Sequence, residues 1–406
     1  MRFRKHLLYG LACLSSFTSV SSVGAVTAED FAVCVAEFKR EAATHDISQS
    51  VIDTSLGQVS LSERVLELDR RQPEFTTTFA DYFNRRVTPE RVAKGRALLE
   101  QHRGLLNRVA GQYGVAPPYL VAFWGLETNF GGFFGSMQVL DSLATLGCDP
   151  RRSTMFTREL MAALSIIDEG SITAEQMEGS WAGAMGHVQF MPSVFVRYAV
   201  DYDGDGRRDL WNSLPDAMAS AANFLNKIGW QEGYRWGREV RLPEGFPYLE
   251  AGLNERRTLS EWHKLGVRTS DGSPLPQADI KAALLVPAGH EGPAFLVYHN
   301  FKVIMGWNRS EFYGLVVGHL SDRIAGLGQL MQPPPADAPR LSRKQVIDLQ
   351  ERLNKRGFGS GEPDGILGPA TRRAISEFQH DQGIVADGFP GREVLALLGV
   401  ELVEAD

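Results

Sequence analysis

Basic charge is scarce in this chain. Its 406 residues carry 42 Lys and Arg against 49 Asp and Glu, a formal net charge of −7. No basic stripe with interleaved aromatics is present, so there is no electrostatic handle for a polyanion and nucleic acid is not expected as a partner. Beyond the N-terminal segment, no stretch is long and apolar enough to cross a bilayer as a helix. Tandem repeats are lacking, and low complexity is confined to one proline-rich stretch. Cysteine is nearly absent, with three residues in all. What remains is a globular composition, 43% hydrophobic and 22% charged, which argues against long disorder. The length predicts two or three domains.

Residues 1–28 read as an export signal. Arg2, Arg4 and Lys5 form a positive start, Leu7 to Val20 a short apolar stretch, and small residues lead to Ala25 and Ala28. Cys13 is not expected to carry a lipid, because Gly10-Leu11-Ala12 before it fits an attachment site poorly. The mature protein is therefore expected outside the cytoplasm, in the periplasm. Removal of the signal leaves Cys34 and Cys148, and two cysteines in an oxidising compartment suggest one disulfide.

The body, residues 29–330, reads as predominantly helical. Thr88-Pro89-Glu90-Arg91 predicts a helix start, and Val92, Leu98, Leu99, Leu105, Leu106 and Val109 follow at helical spacing on what reads as one helix. Pro117-Pro118 starts the next. From about Val240 to Val297, Gly and Pro increase and short β-like runs appear, predicting a small β-containing insertion. Residues 331–340 form a Pro-rich linker, expected to act as a semi-rigid spacer. Residues 341–400 suit a small helical module. The fold class expected is α+β, with helix dominant.

Three segments carry chemistry. Glu127 follows the apolar run Tyr119-Leu120-Val121-Ala122-Phe123-Trp124 and precedes a glycine-rich turn at Gly131. A carboxyl held against such side chains loses hydration, which raises its pKa. A carboxyl still protonated near neutral pH can protonate a glycosidic oxygen. The alternative is a helix-end glutamate whose charge points to water. The second segment runs from Gly179 to Ser193, where small residues alternate with Ser180, Trp181, His187 and Gln189. It suits a sugar-binding groove or a tight packing motif. His187 has no companion at metal-ligand spacing and reads as structural or substrate-lining. The third is the acidic turn from Asp201 to Asp209. Asp201, Asp203, Asp205 and Asp209 occupy positions 1, 3, 5 and 9 of an EF-hand-like loop, with Gly206 at position 6. Arg207 offers its carbonyl, and Asp216 could replace the glutamate missing at Asn212. The expectation is a structural calcium, with no cofactor for catalysis.

Together these residues, with Tyr198 to Asp201, Asp209-Leu210-Trp211 and Ala222-Asn223-Phe224-Leu225, resemble the lytic murein transglycosylase B family over most of Phe31 to Leu327. The resemblance implies a lysozyme-like catalytic domain. It implies non-hydrolytic cleavage of the MurNAc–GlcNAc β-1,4 bond of peptidoglycan, leaving a 1,6-anhydro-muramic end for wall turnover or remodelling. Glu127 would be the single acid/base. Ser180, Gln189, Tyr82, Arg151, Arg152, Trp307, Asn308 and Tyr313 would contact the substrate. Trp307 stands where a tyrosine is common in the family, Phe224 where some members carry one, and His187 is an unusual insert.

The C-terminal module resembles the peptidoglycan-binding type 1 domain, a three-helix unit, through Leu349-Gln350, Asp364-Gly365, Phe378-Gln379 and Asp387-Gly388. Glycan strands of peptidoglycan are the expected partner, with wall-synthesis or remodelling enzymes as further candidates, and the chain is expected to be monomeric. Two other functions stay open from the residues themselves: a hydrolytic muramidase, and a non-catalytic wall-binding scaffold.

Overall fold

The computed structural model describes residues 26–70 and 77–402. Cys13 and nearly all of the proposed export signal lie outside the described residues.

The body opens with seven helices: α1 (Ala28–Ala42), α2 (Gln49–Leu56), α3 (Glu63–Arg70), α4 (Phe79–Arg86), α5 (Pro89–Gln101), α6 (Arg103–Tyr113) and α7 (Pro117–Thr128). Thr27 caps α1 through a reciprocal pair of bonds with Asp30. Thr88 caps α5 as its sequence predicts, accepting from Arg91 N at 3.2 Å, with Pro89 in the first turn. The apolar spacing from Val92 to Val109 reads as one helix, but the structure divides it. His102 leaves helical geometry at φ −104°, ψ 16° and separates α5 from α6. Periodicity survives the break because the residues on either side bury into one core.

Helix α7 is the axis of the body. Tyr119 through Gly125 are all buried, and an element apolar all round belongs inside a domain. It packs between α5 and α14 (Glu311–Ile324). Further along come β1 (Met137–Gln138), α8 (Val139–Gly147), α9 (Ser153–Asp168), β2 (Glu178–Gly179), α10 (Pro192–Tyr198) and α11 (Leu214–Lys227). Cys34 on α1 and Cys148 at the end of α8 form the expected disulfide, with 6.0 Å between their Cα atoms.

The insertion is a five-stranded antiparallel sheet in the order β4-β6-β7-β3-β5. Its strands are β3 (Gly237–Arg241), β4 (Gly252–Thr258), β5 (Arg268–Thr269), β6 (Lys281–Leu285) and β7 (Ala294–Val297). The central strands β6 and β7 are buried on both faces, which explains their unbroken apolar runs. Ala283, Leu285, Phe295 and Val297 join the helical core. Ala282, Leu284, Ala294 and Leu296 face a second core built on Trp262 and Phe246. Helix α12 (Leu259–Lys264) carries that tryptophan, whose Nε1 donates to Ala282 O at 3.0 Å. Helix α13 (His299–Trp307) then returns the chain to the body.

The Pro-rich linker is fastened to the body. Met331 N and Gln332 N donate to Glu239 at 2.9 Å each. Arg340 makes two bonds of 2.8 Å to Asp81. Three helices, α15 (Arg343–Lys355), α16 (Pro369–Asp381) and α17 (Arg392–Leu398), complete the chain around their own core of Val346, Leu349, Ile375, Phe378 and Leu395.

Candidate active site

Glu127 sits in the last turn of α7. The helix stops because Asn129 adopts the left-handed conformation at φ 51°, and Phe130 (φ 61°) and Gly131 (φ 73°) continue in it. Left-handed backbone costs a non-glycine residue energy, so surrounding contacts must hold this turn. They do. Thr128 Oγ1 donates to His187 O at 2.9 Å and accepts from Gly131 N at 2.9 Å. Trp124 Nε1 donates to His187 Nδ1 at 3.0 Å. A Cβ on Gly125 would strike the Phe130 ring at 2.6 Å. The turn after Glu127 is therefore clamped onto the Gly179–Ser193 segment.

The Glu127 carboxyl is half-buried, beside Trp307 and Tyr313. Tyr313 Oη donates to Glu127 Oε1 in a short hydrogen bond. Loss of hydration pushes the Glu127 pKa up to about 7, although bonds from Tyr313 and Trp307 and the Arg86 charge pull the other way. Burial also drives the Tyr313 phenol well above its ordinary range, so it stays a donor. Among the described residues, Arg86 is the charged group that acts on Glu127, and no second carboxylate bonds to it.

Trp307 and Tyr313 both act on the Glu127 carboxyl, and Tyr82 lies near enough to act on the Tyr313 phenol. Trp307 stacks on Phe123 with ring centroids 4.4 Å apart and touches Phe190 and Phe224 at 5.3 Å each. Tyr82 lies under the Arg86 guanidinium at 3.6 Å. Arg86 was missed from sequence. It is one turn beyond Tyr82 on α4, and an exposed-looking Asn-Arg-Arg run hides which arginine turns inward.

Other candidates have structural partners. Ser180 Oγ accepts from Ala184 N at 3.0 Å and closes a turn. Gln189, at φ 49°, donates to Phe134 O at 2.9 Å and Gly186 O at 3.1 Å, bracing the loop after Gly131. Asn308 is exposed and its Oδ1 accepts from Ser310 N at 3.0 Å. Arg151 pairs with Asp69 at 2.6 Å and Asp149 at 2.7 Å, and Arg152 with Asp69 at 3.2 Å. Both arginines remain partly exposed but are committed to buried acids next to the disulfide. His187 is largely buried, with its pKa lowered to about 4 by desolvation, so its ring stays a neutral acceptor for Trp124.

In the acidic turn, Asp201, Asp203 and Asp205 are exposed, with one oxygen of each within 4.8 Å of the others. This convergence fits a hard cation. Asp216 is placed differently from its sequence role. It is fully buried, and its oxygens accept from Tyr202 N, Asp203 N and Asp209 N at 2.8, 3.3 and 2.9 Å. Asp209 likewise accepts from Trp211 N and Asn212 N at 2.8 Å each. These two acids shape the loop, and Arg207 has its carbonyl to offer.

Comparison with known proteins adds identity to this geometry. The family described as Transglycosylase SLT domain matches residues 30–322, and that described as Putative peptidoglycan binding domain matches residues 342–398. The chain is 44% identical to SltB3 of Pseudomonas aeruginosa, whose crystal structure holds NAG-anhNAM-pentapeptide. That match covers 91% of this chain and 99% of the other, with a TM-score of 0.88. It is 30% identical over 291 residues to membrane-bound lytic murein transglycosylase B of Escherichia coli strain K12, covering 69% of this chain and 79% of the relative. Slt35 of Escherichia coli, solved in complex with calcium, is 30% identical with a TM-score of 0.62, over 72% of this chain and 92% of that one.

Proposed function

The chain belongs to the transglycosylase SLT-domain family, and from that premise we propose that it cleaves the MurNAc–GlcNAc β-1,4 bond of peptidoglycan without water. The products are 1,6-anhydro-muramic ends. The observation that carries this reading is the single desolvated carboxyl of Glu127 with a pKa of about 7.

Glu127 begins protonated and gives its proton to the leaving oxygen. The developing oxocarbenium ion is stabilised by the substrate's own 2-acetamido group, so no second carboxylate is needed. Now ionised, Glu127 is held by the Tyr313 hydroxyl. It then takes the proton of the C6 hydroxyl, which attacks C1 within the same sugar. Proximity replaces water as the source of the nucleophile. A hydrolytic muramidase would pair Glu127 with a second acid across the scissile bond, whereas the charged group that acts on Glu127 among the described residues is Arg86. A scaffold would have no use for a carboxyl kept near neutral pKa.

The module of α15–α17 is proposed to hold the enzyme on the wall and raise its local concentration there. The setting proposed is the periplasm, as a monomer on glycan strands, with wall-remodelling enzymes as neighbours. Asp201, Asp203 and Asp205, with the Arg207 carbonyl, are proposed to hold a calcium ion. Its contribution would be to neutralise the clustered carboxylates and stiffen the turn that leads into α11.

The test is mass spectrometry of muropeptides released by wild type and Glu127→Gln. The expected outcome is anhydro-muramic products from wild type and at least a thousandfold fewer from the variant, near the upper end of what a general acid contributes. Reducing muramic ends would mean hydrolysis.

A further inference from the structure

The C-terminal module contains one small structure twice. In the first copy, Gln350 Nε2 donates to Asp364 Oδ1, Gly365 N donates to Gln350 Oε1, and Ile366 N donates to Asp364 Oδ1, each at 2.9 Å. In the second, Gln379 Nε2 donates to Asp387 Oδ1 at 2.8 Å, Gly388 N to Gln379 Oε1 at 2.7 Å, and Phe389 N to Asp387 Oδ1 at 2.9 Å. Gly365 and Gly388 are both left-handed, at φ 77° and 71°. A Cβ on either would meet an arginine carbonyl, Arg343 O at 3.1 Å or Arg372 O at 2.8 Å. Each arginine stands seven positions ahead of its glutamine. The module thus presents two matching sets, Arg343, Asp364 and Ile366, then Arg372, Asp387 and Phe389, which differ in the arginine side chain: Arg343 donates to Asp364 O and Arg372 to Leu367 O.

The copies differ in what covers them. The second is docked on the catalytic body. Asp387 Oδ2 accepts from His290 N at 2.8 Å and from the His290 ring at Nδ1, 2.7 Å away. Arg372 lies 5.9 Å above the Phe312 ring. Phe389 sits against Gly289, where a Cβ would meet it at 2.9 Å. The same face walls a cavity of about 420 Å³ with Tyr248 and Val286 of the insertion. The first copy is open. Arg343, Asp364 and Ile366 are all exposed, and Asp364 Oδ2 has no bond among the described residues.

We propose that the Asp364 copy is the ligand-binding face of the module, and that its ligand is a peptide presenting a backbone N–H beside a second N–H or ammonium donor. The proposal rests on the wall-binding role given to the module above. The occupant of the twin copy is its template. At Asp387, the Gly289–His290 segment places one backbone N–H and one side-chain nitrogen on a single carboxylate oxygen, with its backbone against an apolar side chain. Asp364 Oδ2 and Ile366 offer the same acceptor and the same apolar contact. Peptide stems of peptidoglycan have this donor pattern where an amino-bearing side chain follows an amide. The docked copy is closed by the enzyme's own insertion, so a wall polymer reaches the module on the Asp364 side. Reading the stem there would place the wall on a defined side of the catalytic body.

The test uses the full chain carrying Glu127→Gln, so that polymer is not consumed. Binding is measured by co-sedimentation with intact peptidoglycan and with glycan stripped of its stems by an amidase. Asp364→Asn keeps one amide oxygen for Gln350 and Ile366 and removes the free carboxylate oxygen and its charge. The expected result is roughly tenfold weaker binding to stem-bearing peptidoglycan, the worth of one charge-assisted bond, with binding to stripped glycan unchanged. Ile366→Ser should act in the same direction, and Asp387→Asn should not. Equal weakening on both polymers, or loss through Asp387→Asn instead, overturns the assignment. If the parent protein binds but Asp364→Asn and Ile366→Ser change nothing, the site falls while wall binding stands. A parent that sediments with neither polymer removes the wall-binding role itself.

Discussion

Glu127 and Asp216 are both desolvated acids at the ends of helices in the same body, yet their surroundings differ. Both lose hydration, and burial raises both pKa values. Asp216 meets three backbone N–H groups, which oppose that rise and commit both oxygens to holding the acidic turn. Glu127 meets the hydroxyl of Tyr313, an indole and a half-buried arginine, and its pKa settles near 7. Burial alone therefore does not make a catalytic acid. What differs is the kind of group that faces the carboxyl: backbone N–H groups commit Asp216 to holding its turn, whereas side chains from other elements face Glu127.

The comparison breaks first at Asp216. Asp216→Ala leaves three backbone N–H groups without their acceptor and should destabilise the protein by about 3 kcal/mol. Urea denaturation of the chelated protein measures this, and a loss below about 1 kcal/mol would show that Asp216 anchors nothing. Next is the opposite sign at Glu127. A folded-state pKa raised above the ordinary carboxyl value means that the native state holds its proton more tightly. Stability contributed by that proton is present below the unfolded pKa and lost as pH rises through about 7. Glu127→Gln should accordingly be more stable than wild type at about pH 8, by roughly 2–3 kcal/mol, and equal to it near pH 4.5. Thermal unfolding at the two pH values checks this.

Tyr313→Phe sharpens the contrast by removing a donor. The Tyr313 bond lowers the Glu127 pKa, so its loss should move the basic limb of the kcat profile to higher pH. It should also lower kcat roughly ten- to a hundredfold, because the ionised carboxylate loses its support. A pH–rate series on one soluble muropeptide reads both. The smallest effect belongs to the exposed acids. Asp205→Asn should abolish any calcium-dependent rise in melting temperature, a shift of a few degrees worth about 1 kcal/mol, and leave the chelated protein unchanged. A variant that still responds to calcium would place the ion elsewhere.

Much of the architecture is legible along the chain. Helix α7 announces itself by an apolar run too continuous for a surface helix, with prolines at its start and glycines after its end. The insertion shows in β-like runs that prove to be strands buried on both faces. The Cys34–Cys148 disulfide is the pairing open to the two cysteines beyond the N-terminal segment. Other features are not local. The break at His102 is invisible to periodicity, because both halves bury the same stripe. Arg86 looks like its exposed neighbour Arg85. Arg151 and Arg152 resemble ligand contacts until Asp69, far away in sequence, is seen to hold them. The duplicated Gln-Asp-Gly unit is written in the module but escapes notice as a repeat, since its spacers differ in length and only the matching hydrogen bonds expose the equivalence.

Sequence by itself determined that Glu127 sits at the end of a buried helix, that the turn after it is glycine-rich, and that a small module follows a Pro-rich spacer. These depend on composition and spacing within a few turns of chain, where local sterics and apolar periodicity govern. Tertiary structure alone decided how far the Glu127 carboxyl is desolvated, which arginine acts on it, and which copy of the module's repeated unit is left open. Those outcomes depend on dielectric surroundings and on donors brought from distant segments. A carboxyl's charge state is set by everything packed around it, and that packing exists only once the chain has folded.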